Sequence, residues 1–228
     1  MVPSGKCILV FVKFPETGKV KARLSKDLDE DAVCSLYKIF VLDLLDTLKK
    51  GSYTFRVCFY PPEAEEKVAD WLGRDLFYMP QAGKDLGERM KNAFIHVFSQ
   101  GYSEVLLIGS DIPDLAGPVI DEAFDELKNS EAVVGPAFDG GYYLIGFRKD
   151  TFLSEIFQGI HWGTDTVFAR TMEIFNRNNY RIHVLTKWRD VDRIEDLKAL
   201  FDRNSNTEFS GSRTMIFLTA HFRSIFKK

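Results

Sequence analysis

The sequence has few cysteines and no long apolar run. Its three cysteines, Cys7, Cys34 and Cys58, lie inside apolar stretches and have neither paired nor metal-ligand spacing. They are expected to be reduced thiols of a core, which excludes a disulfide framework or a cysteine-bound metal. No stretch reaches the roughly 18 apolar residues of a membrane span, and the residues before Lys13 do not resemble a signal peptide. We expect a cytoplasmic protein.

An excess of charge of one sign is also absent. The formal net charge is -3 over 228 residues, so neither a nucleic-acid-binding basic surface nor an acidic disordered tail is indicated. A composition of 45% hydrophobic and 28% charged residues is typical of a globular protein. We expect one domain over residues 1–203 and a basic, apolar extension over 204–228. The extension would be a docking element, a contact in a homo-oligomer or a poorly ordered segment.

Apolar runs of strand type alternate with amphipathic helical patterns along the chain. This alternation predicts an α/β domain. Strand-type segments are expected at 7–12, 53–60, 76–79, 105–108, 132–137 and 180–186, and helices at 31–50, 61–72, 85–97, 119–127, 165–175 and 194–201.

The most informative stretch is the apolar run 105–108, which ends in Gly109-Ser110-Asp111-Ile112-Pro113-Asp114. In open parallel sheets, ligands bind at the carboxyl ends of the strands. Carboxylates at such an end suit Mg²⁺ or Mn²⁺, and Pro113 stiffens the turn that carries them. We interpret Asp111 as a candidate metal ligand. Asp114 is either a second ligand or the cap of a helix that begins near Gly117.

A basic loop follows the first predicted strand. It contains Lys13, Lys19, Lys21 and Arg23, interrupted by proline and glycine. The loop has neither P-loop spacing nor a G-x-G-x-x-G pattern, so the usual nucleotide fingerprints do not apply. Its position after a buried strand favours polyphosphate binding over a merely solvated loop.

A second candidate anion site lies at the start of the helix near Asp85, because free N–H groups at a helix N-terminus attract anions. Gln81 and Arg89 flank this start and are candidates for base and phosphate contacts. Each is equally compatible with an ordinary surface role.

Two later stretches are candidates for the substrate pocket. Gly140 and Gly141 follow Asp139, where they permit a close approach of ligand or simply form a hairpin turn. Trp162 and Thr164 precede a helix capped by Thr164 or Asp165, and they are candidates for the floor of a sugar or acceptor site. The alternative for this aromatic stretch is a structural role.

Several motifs occur in a fixed order between residues 7 and 202. They are Lys13-Phe14-Pro15, Gly18-Lys19-Val20-Lys21, Arg23-Leu24, Asp85-Leu86-Gly87-Glu88-Arg89-Met90, Gly109-Ser110-Asp111-Ile112-Pro113, Gly135-Pro136-Ala137, Asp139-Gly140-Gly141-Tyr142-Tyr143 and Trp162-Gly163-Thr164. Together they resemble a bacterial and archaeal family of nucleotide-diphospho-sugar transferases.

The resemblance implies a glycosyltransferase A fold, which is a Rossmann-like three-layer α/β/α sandwich with a mostly parallel central sheet. It also implies a nucleotide over the first strands and a divalent metal, Mg²⁺ or Mn²⁺, at the acidic strand end. Asp111 matches the family's metal-associated aspartate, and Lys13, Lys19, Lys21 and Arg23 match its basic loop. Asp192 aligns with the late aspartate of an Asp-Val-Asp-Thr motif, which implies a second metal ligand there, although Arg193 here replaces the threonine.

Two reactions fit these residues. The resemblance favours transfer of a sugar from a nucleotide-diphospho-sugar to a small acceptor, with Asp139 or His161 as general base. The basic loop is also similar to that of phospholactate guanylyltransferases, which implies nucleotidyl transfer from a nucleoside triphosphate with release of pyrophosphate. A non-catalytic nucleotide-binding protein on this fold is the third hypothesis. The expected partners are a nucleotide or nucleotide-sugar and a small acceptor, without nucleic acid.

Overall fold

The protein is built on a seven-stranded sheet, in a computed structural model that describes residues 5–51, 53–221 and 225. The strands in chain order are β1 (Lys6–Lys13), β2 (Phe55–Tyr60), β3 (Tyr78–Pro80), β4 (Glu104–Gly109), β5 (Ala132–Pro136), β6 (Tyr142–Arg148) and β7 (Ile182–Val184). The α-helices are α1 (Glu30–Lys50), α2 (Glu65–Leu72), α3 (Leu86–Ser99), α4 (Gly117–Glu126), α5 (Val167–Arg177), α6 (Ile194–Asn204) and α7 (Arg213–Ala220).

The strand order creates a crevice at the centre of the sheet. The order is β3-β2-β1-β4-β6-β5-β7, and all neighbouring strands are parallel except β6, which is antiparallel to both β4 and β5. The chain leaves β1 toward β2 and β3 and then returns to place β4 on the other side of β1. Ligands bind at such a switch point, beyond the carboxyl ends of the strands.

Helices cover both faces of this sheet because successive strand residues point to opposite sides. In β1, Ile8, Val10 and Val12 pack in the core beneath α1, α2 and α4. Cys7, Leu9 and Phe11 pack in the second core, beneath α3 and α5. The predicted three-layer α/β/α sandwich with a mostly parallel sheet is therefore confirmed.

The chain beyond residue 203 contributes a helix that packs on the domain. Helix α7 shares a third apolar cluster with α1 and α6. The buried carboxylate of Asp43 in α1 accepts hydrogen bonds from the backbone N–H groups of Thr214 at 2.8 Å and Arg213 at 3.2 Å. A carboxylate at this position satisfies free donors of the first turn of α7 and thereby fixes where the helix docks.

Most predicted elements occur where expected, but their ends differ. The helix expected from residue 61 begins with a 3₁₀ turn before α2, and the last strand is only three residues long. Neither Thr164 nor Asp165 caps α5, because the N-cap residue is Thr166 and it makes no side-chain capping bond. All three cysteines are buried free thiols, as expected. Within the described part of the chain, every helix is too short or too polar to cross a membrane.

Candidate functional site

A cleft of about 670 Å³ opens beyond the carboxyl ends of β1, β2 and β4. The elements around it place most of the predicted site residues in its lining, although these lie far apart in the sequence. The predicted residues in the lining are Lys13, Lys19, Lys21, Arg23, Gln81, Arg89, Asp111, Asp139, Gly141, Trp162, Thr164 and Asp192.

Lys21 lies between two carboxylates in the floor of the cleft. Its ammonium Nζ is 2.7 Å from Asp111 Oδ1 and 2.9 Å from Asp192 Oδ1, and its side chain is only 4% exposed. Its backbone adopts a positive φ of 51°, which is uncommon for a residue with a side chain. Burial alone would lower the pKa of Lys21, but the charges and hydrogen bonds of Asp111 and Asp192 raise it well above its usual value. Lys21 is therefore a permanent internal cation.

Three carboxylates, one of them the Lys21 partner Asp192, meet beside Lys21. Asp139, Asp190 and Asp192 each offer one oxygen, and these oxygens lie within 4.8 Å of one another. Burial, followed by the charges of Asp139 and Asp192, raises the pKa of Asp190 to about 7. Burial also acts to raise the pKa of Asp192, but the charge and hydrogen bond of Lys21, together with the charges of Arg23 and Arg193, outweigh it and leave the pKa below its usual value. Hard oxygen donors in this arrangement fit Mg²⁺ or Mn²⁺.

The position of Asp190 follows from the segment after β7. This segment runs beside the end of β5, where Trp188 N–H donates to the carbonyl of Pro136 at 3.0 Å and Phe138 N–H donates to the carbonyl of Trp188 at 3.1 Å. Asp190 was not among the residues predicted for the site. Its signal was the Asp-Val-Asp spacing, because residues i and i+2 of an extended segment point the same way.

The two aspartates after β4 have different partners from each other. Asp111 is not among the three clustered carboxylates and pairs with Lys21 instead. Asp114 is buried and accepts hydrogen bonds from Trp188 Nε1, Arg203 and Asn204, at 2.7 to 3.1 Å. Both interpretations of Asp114 are wrong, because α4 has Ala116 as its N-cap and the Asp114 carboxylate is occupied in holding α6.

A buried tyrosine connects the loops that follow β1 and β4. The hydroxyl of Tyr37 accepts from the backbone N–H of Lys13 at 3.0 Å and lies 2.9 Å from Ser110 Oγ. Burial, helped by the charge of Asp111, raises the pKa of Tyr37 to about 12, so the hydroxyl keeps its proton. The Tyr37 ring packs in the core on α1. Its polar end holds the two loops of the cleft together.

The remaining cations stand around the opening of the cleft. Lys13 Nζ donates to the carbonyl of Lys19 at 2.6 Å, while Lys19 pairs with Glu16 at the surface. The guanidinium of Arg89 lies 4.0 Å from the centroid of the Tyr60 ring. Arg23 is closer to the carboxylates, with Nη1 3.4 Å from Asp192 Oδ2. Lys13, Lys19 and Arg89 are thus the cations of the cleft that have no contact with its aspartates.

Gln81 is held by the scaffold. It is buried, and its amide nitrogen donates to the carbonyl of Cys58 at 2.7 Å and of Val12 at 3.4 Å. These bonds join the ends of three neighbouring strands. The side-chain amide N–H groups are therefore used within the protein, which limits the base contact predicted for Gln81.

The opposite wall is formed by the β5–β6 hairpin and the turn before α5. Gly140 forms the hairpin turn with a φ of 91°. It lies against the backbone of Asp165, where a side chain has no room. It is not part of the lining of the cleft. Trp162 packs edge-on against Tyr142, with ring centroids 6.3 Å apart. His161 is exposed and also lies outside the lining of the cleft. Its backbone carbonyl accepts a hydrogen bond from Thr164 Oγ1 at 2.8 Å. The general base predicted at His161 therefore stays a prediction that the lining of the cleft does not support.

Comparison with known proteins identifies related chains. The family model described as "Uncharacterized protein conserved in bacteria (DUF2064)" matches residues 44–164. A solved structure from Desulfovibrio desulfuricans G20, described as a "putative nucleotide-diphospho-sugar transferase", shares 42% sequence identity. It superimposes with a TM-score of 0.95 over 98% of both chains. No curated protein matches the chain.

More distant structures share the fold alone. Rv0371c of Mycobacterium tuberculosis H37Rv, solved in complex with manganese, has 14% identity and a TM-score of 0.54 over 86% of this chain and 98% of its own. A CMP:2-keto-3-deoxy-manno-octonic acid synthetase complexed with CTP has 10% identity and a TM-score of 0.55 over 87% and 98%. The extensive match to the Desulfovibrio protein and to the family model shows that the chain belongs to the DUF2064 family, and it confirms the predicted family resemblance to nucleotide-diphospho-sugar transferases.

Proposed function

We propose that this protein is a divalent-metal-dependent glycosyltransferase that takes a nucleotide-diphospho-sugar as donor and passes the sugar to a small acceptor. The observation that carries this proposal is the meeting of three carboxylates, Asp139, Asp190 and Asp192, with a set of cations in one cleft. The name of the Desulfovibrio relative supports the donor class. The cleft lies at a switch point of the sheet, which is the expected place for a nucleotide.

The three clustered carboxylates would hold Mg²⁺ or Mn²⁺. Asp190 and Asp192 are half-buried and Asp139 is exposed, so two ligands are fixed by packing and one faces the open cleft. When bound, the metal would offset negative charge on the departing nucleoside diphosphate. In this proposal Asp139 is a metal ligand rather than the general base. Lys21 keeps Asp111 and Asp192 in place from the other side.

The cations around the opening would bind the diphosphate. Lys13, Lys19 and Arg89 line the cleft without an ion pair to its aspartates. Among the described residues, Lys13 and Arg89 pair with no carboxylate, so their charges are available to a phosphate, whereas Lys19 would exchange Glu16 for it. Charge-assisted hydrogen bonds to phosphate are stronger than neutral ones and position the donor. Trp162 and Thr164, on the opposite wall, are then candidates to contact the sugar or the acceptor.

Nucleotidyl transfer is the second candidate function, because four cations of the first loop line the same cleft. Such a charge suits a triphosphate as well as a diphosphate. In that reaction a phosphate or carboxylate of the second substrate would attack the α-phosphorus, and pyrophosphate would leave. The leaving group therefore separates the two reactions: nucleoside diphosphate in the first and pyrophosphate in the second.

Isothermal titration calorimetry of the purified protein tests the proposal. Nucleoside triphosphates, nucleoside diphosphates and UDP- or GDP-sugars are titrated with and without Mn²⁺. The test variant is Asp190→Asn, and the matched control is Asp70→Asn, which removes an exposed carboxylate on α2 that pairs with Arg74. We expect at least one nucleotide-diphospho-sugar to bind in a Mn²⁺-dependent way to the wild type and to Asp70→Asn, with at least tenfold weaker binding to Asp190→Asn.

The other outcomes decide between the alternatives. Preferential, Mn²⁺-dependent binding of a triphosphate, together with release of pyrophosphate, would replace glycosyl transfer by nucleotidyl transfer. Binding of a nucleotide without turnover of any donor across a panel of sugar and polyol acceptors would favour a binding protein. Equal binding to the wild type, Asp70→Asn and Asp190→Asn, or no effect of Mn²⁺ on binding, would reject the metal site.

A further inference from the structure

A second groove lies behind the cleft, along the edge of the sheet. It has a volume of about 680 Å³ and is formed by β2, β3, Ala82 and residues 92–99 of α3. Met79 and Pro80 supply one wall, and Ala93, Ile95 and His96 of α3 supply the other. Arg89 and Met90, in the N-terminal part of the same helix, line the cleft. The two depressions thus share α3, the cleft at its N-terminal part and the groove farther along it.

Arg56 of β2 lines this groove, and its charge lacks an oxyanion partner. Its Nε is buried and makes no hydrogen bond. Among the described residues, no carboxylate forms an ion pair with Arg56. Its guanidinium lies 5.6 Å from the ring centroid of Phe77 and 5.8 Å from that of Tyr102, and its polar neighbour is the thiol of Cys7.

These neighbours leave most of the hydrogen-bonding capacity of Arg56 unused. Aromatic rings attract a guanidinium through their faces but do not replace oxygen acceptors for its five N–H groups. The thiol is a weak acceptor, and burial raises the pKa of Cys7 to about 11, so it is neutral. A half-buried cation without an oxygen acceptor is costly, and a carboxylate or phosphate matches its planar set of donors.

The rest of the groove fits the same class of ligand. Its described lining contains no carboxylate that would repel an anion. Asn92, Ser99 and His96 supply polar groups, although the Asn92 amide also donates to the carbonyl of Ala82 at 2.9 Å. Met79, Ala93 and Ile95 supply apolar surface, and the volume exceeds what an inorganic ion needs.

We propose that this groove is a second ligand site, which binds a small organic oxyanion through Arg56 and packs its apolar part against Met79 and α3. The ligand class is a phosphate or carboxylate joined to an apolar group. Because the N-terminal part of α3 carries Arg89 into the cleft, an occupant of the groove would contact the same helix that contributes to the cleft.

Methyl NMR of methionine tests this site separately from the cleft. Met79 lines the groove and Met90 lines the cleft, so their ¹³C-labelled methyl signals report the two places independently. The full chain is titrated with phenyl phosphate, with benzoate and with inorganic phosphate. Arg56→Leu is the test variant, Arg56→Lys keeps the charge without the guanidinium, and Arg74→Leu removes an exposed arginine on the surface.

We expect phenyl phosphate or benzoate to shift the Met79 signal saturably in the wild type and in Arg74→Leu. The affinity at Met79 should fall at least tenfold in Arg56→Leu and by less in Arg56→Lys, while inorganic phosphate binds more weakly than either organic probe. If benzoate shifts the Met79 signal as much as phenyl phosphate or more, the ligand is a carboxylate. If phenyl phosphate shifts it more, the ligand is a phosphate.

The proposal is overturned if only Met90 responds, since the anions would then bind in the cleft alone. It is also overturned if Met79 shifts equally in the wild type and in Arg56→Leu. An unchanged Met90 signal in the free Arg56→Leu protein verifies that this variant is folded. Failure of nucleotide binding in the cleft would leave the Met79 result intact, so the two proposals can fail separately.

Discussion

The ammonium of Lys21 lies 2.7 Å from the carboxylate of Asp111, in the space where the sequence predicts a metal. It also reaches Asp192, 171 positions later in the chain, at 2.9 Å. A lysine thus supplies positive charge between these two aspartates, and the three carboxylates beside it remain grouped for a divalent ion. Asp192 therefore belongs both to the ion pairs of Lys21 and to the carboxylate cluster, whereas Asp111 belongs only to the first and Asp139 and Asp190 only to the second.

Replacing Lys21 by methionine should destabilise the protein and increase its response to metal. The change leaves Asp111 without its cation and Asp192 with Arg23 alone. Stranding a carboxylate costs several kcal/mol in a fully buried pair, but Asp111 and Asp192 are 45% and 29% exposed. We therefore expect a loss of about 1–3 kcal/mol in urea unfolding. Stabilisation by Mn²⁺ should be larger in Lys21→Met than in the wild type.

Lys38→Met, which removes an exposed lysine from α1, is the matched control and should change stability little. The double variant Lys21→Met/Asp111→Asn should recover part of the loss, because one of the stranded charges is gone. Equal stability of Lys21→Met and Lys38→Met would contradict a structural role of the Lys21 ion pairs.

Asp190→Asn should make the metal-free protein more stable at neutral pH while weakening its binding of Mn²⁺. A pKa of about 7 means that the folded protein binds a proton at Asp190 more tightly than the unfolded chain does. The wild type then loses stability as the pH rises from about 4 to 7, and this loss is complete above pH 7. Asparagine removes the repulsive charge. The free energy of unfolding of Asp190→Asn should therefore exceed that of the wild type by about 1–2 kcal/mol at pH 8, after allowing for solvent screening, and should be nearly equal to it at pH 4.

Thermal unfolding in the presence of EDTA, at pH 5 and pH 8, measures this effect. The difference in melting temperature between Asp190→Asn and the wild type should be larger at pH 8. Asp70→Asn serves again as control and should show no such difference. A variant less stable than the wild type at pH 8 would mean that Asp190 makes favourable contacts that outweigh its repulsion.

Gly87→Ala should disturb the wall of the cleft. Gly87 lies in the first turn of α3, and a methyl group there would stand 2.5 Å from Trp162 Nε1 and against the carbonyl of Phe157. The tryptophan would have to move, at a cost of about 1–3 kcal/mol for overpacking. Urea unfolding should show this loss, and any ligand that contacts Trp162 should bind more weakly.

Gly117→Ala is the matched control, because Gly117 is also in the first turn of a helix and has open space around the added methyl. Alanine is the better helix former, so this variant should be as stable as the wild type or slightly more so. If both alanine variants behave alike, the close packing of Gly87 against Trp162 is not important for stability.

Asp43→Ala should release α7 from the domain. The change removes the acceptor of the Thr214 and Arg213 backbone N–H groups and leaves buried donors unsatisfied, which should cost about 2–4 kcal/mol. Hydrogen exchange should accelerate over residues 213–220. Asp46→Ala removes a carboxylate that pairs with Arg213 but is 41% exposed, so it should cost less than about 1 kcal/mol. Equal exchange rates in the two variants would show that Asp43 does not hold the helix.

Much of the fold could be predicted from local patterns. Periodicity identified the buried strand β4, the long helix α1 and the alternation that makes an α/β protein, since these depend on neighbouring residues. Element ends were less accurate, as at α5, because a cap depends on which side chain reaches the first turn. The basic loop and the strand end at Asp111 were correctly placed beside one cleft, because parallel strands end at the same edge of the sheet.

The sequence by itself determined which residues stand at strand ends and therefore which charges could face a ligand. Only the tertiary structure decided their partners: Asp114 with Arg203, Lys21 with two aspartates, and Asp190 with Asp139. The physical reason is that a periodic pattern encodes the direction of a side chain within its own element. Contacts between distant residues depend instead on strand order, here on the antiparallel insertion of β6 between β4 and β5, which brings the β5–β6 turn to the cleft.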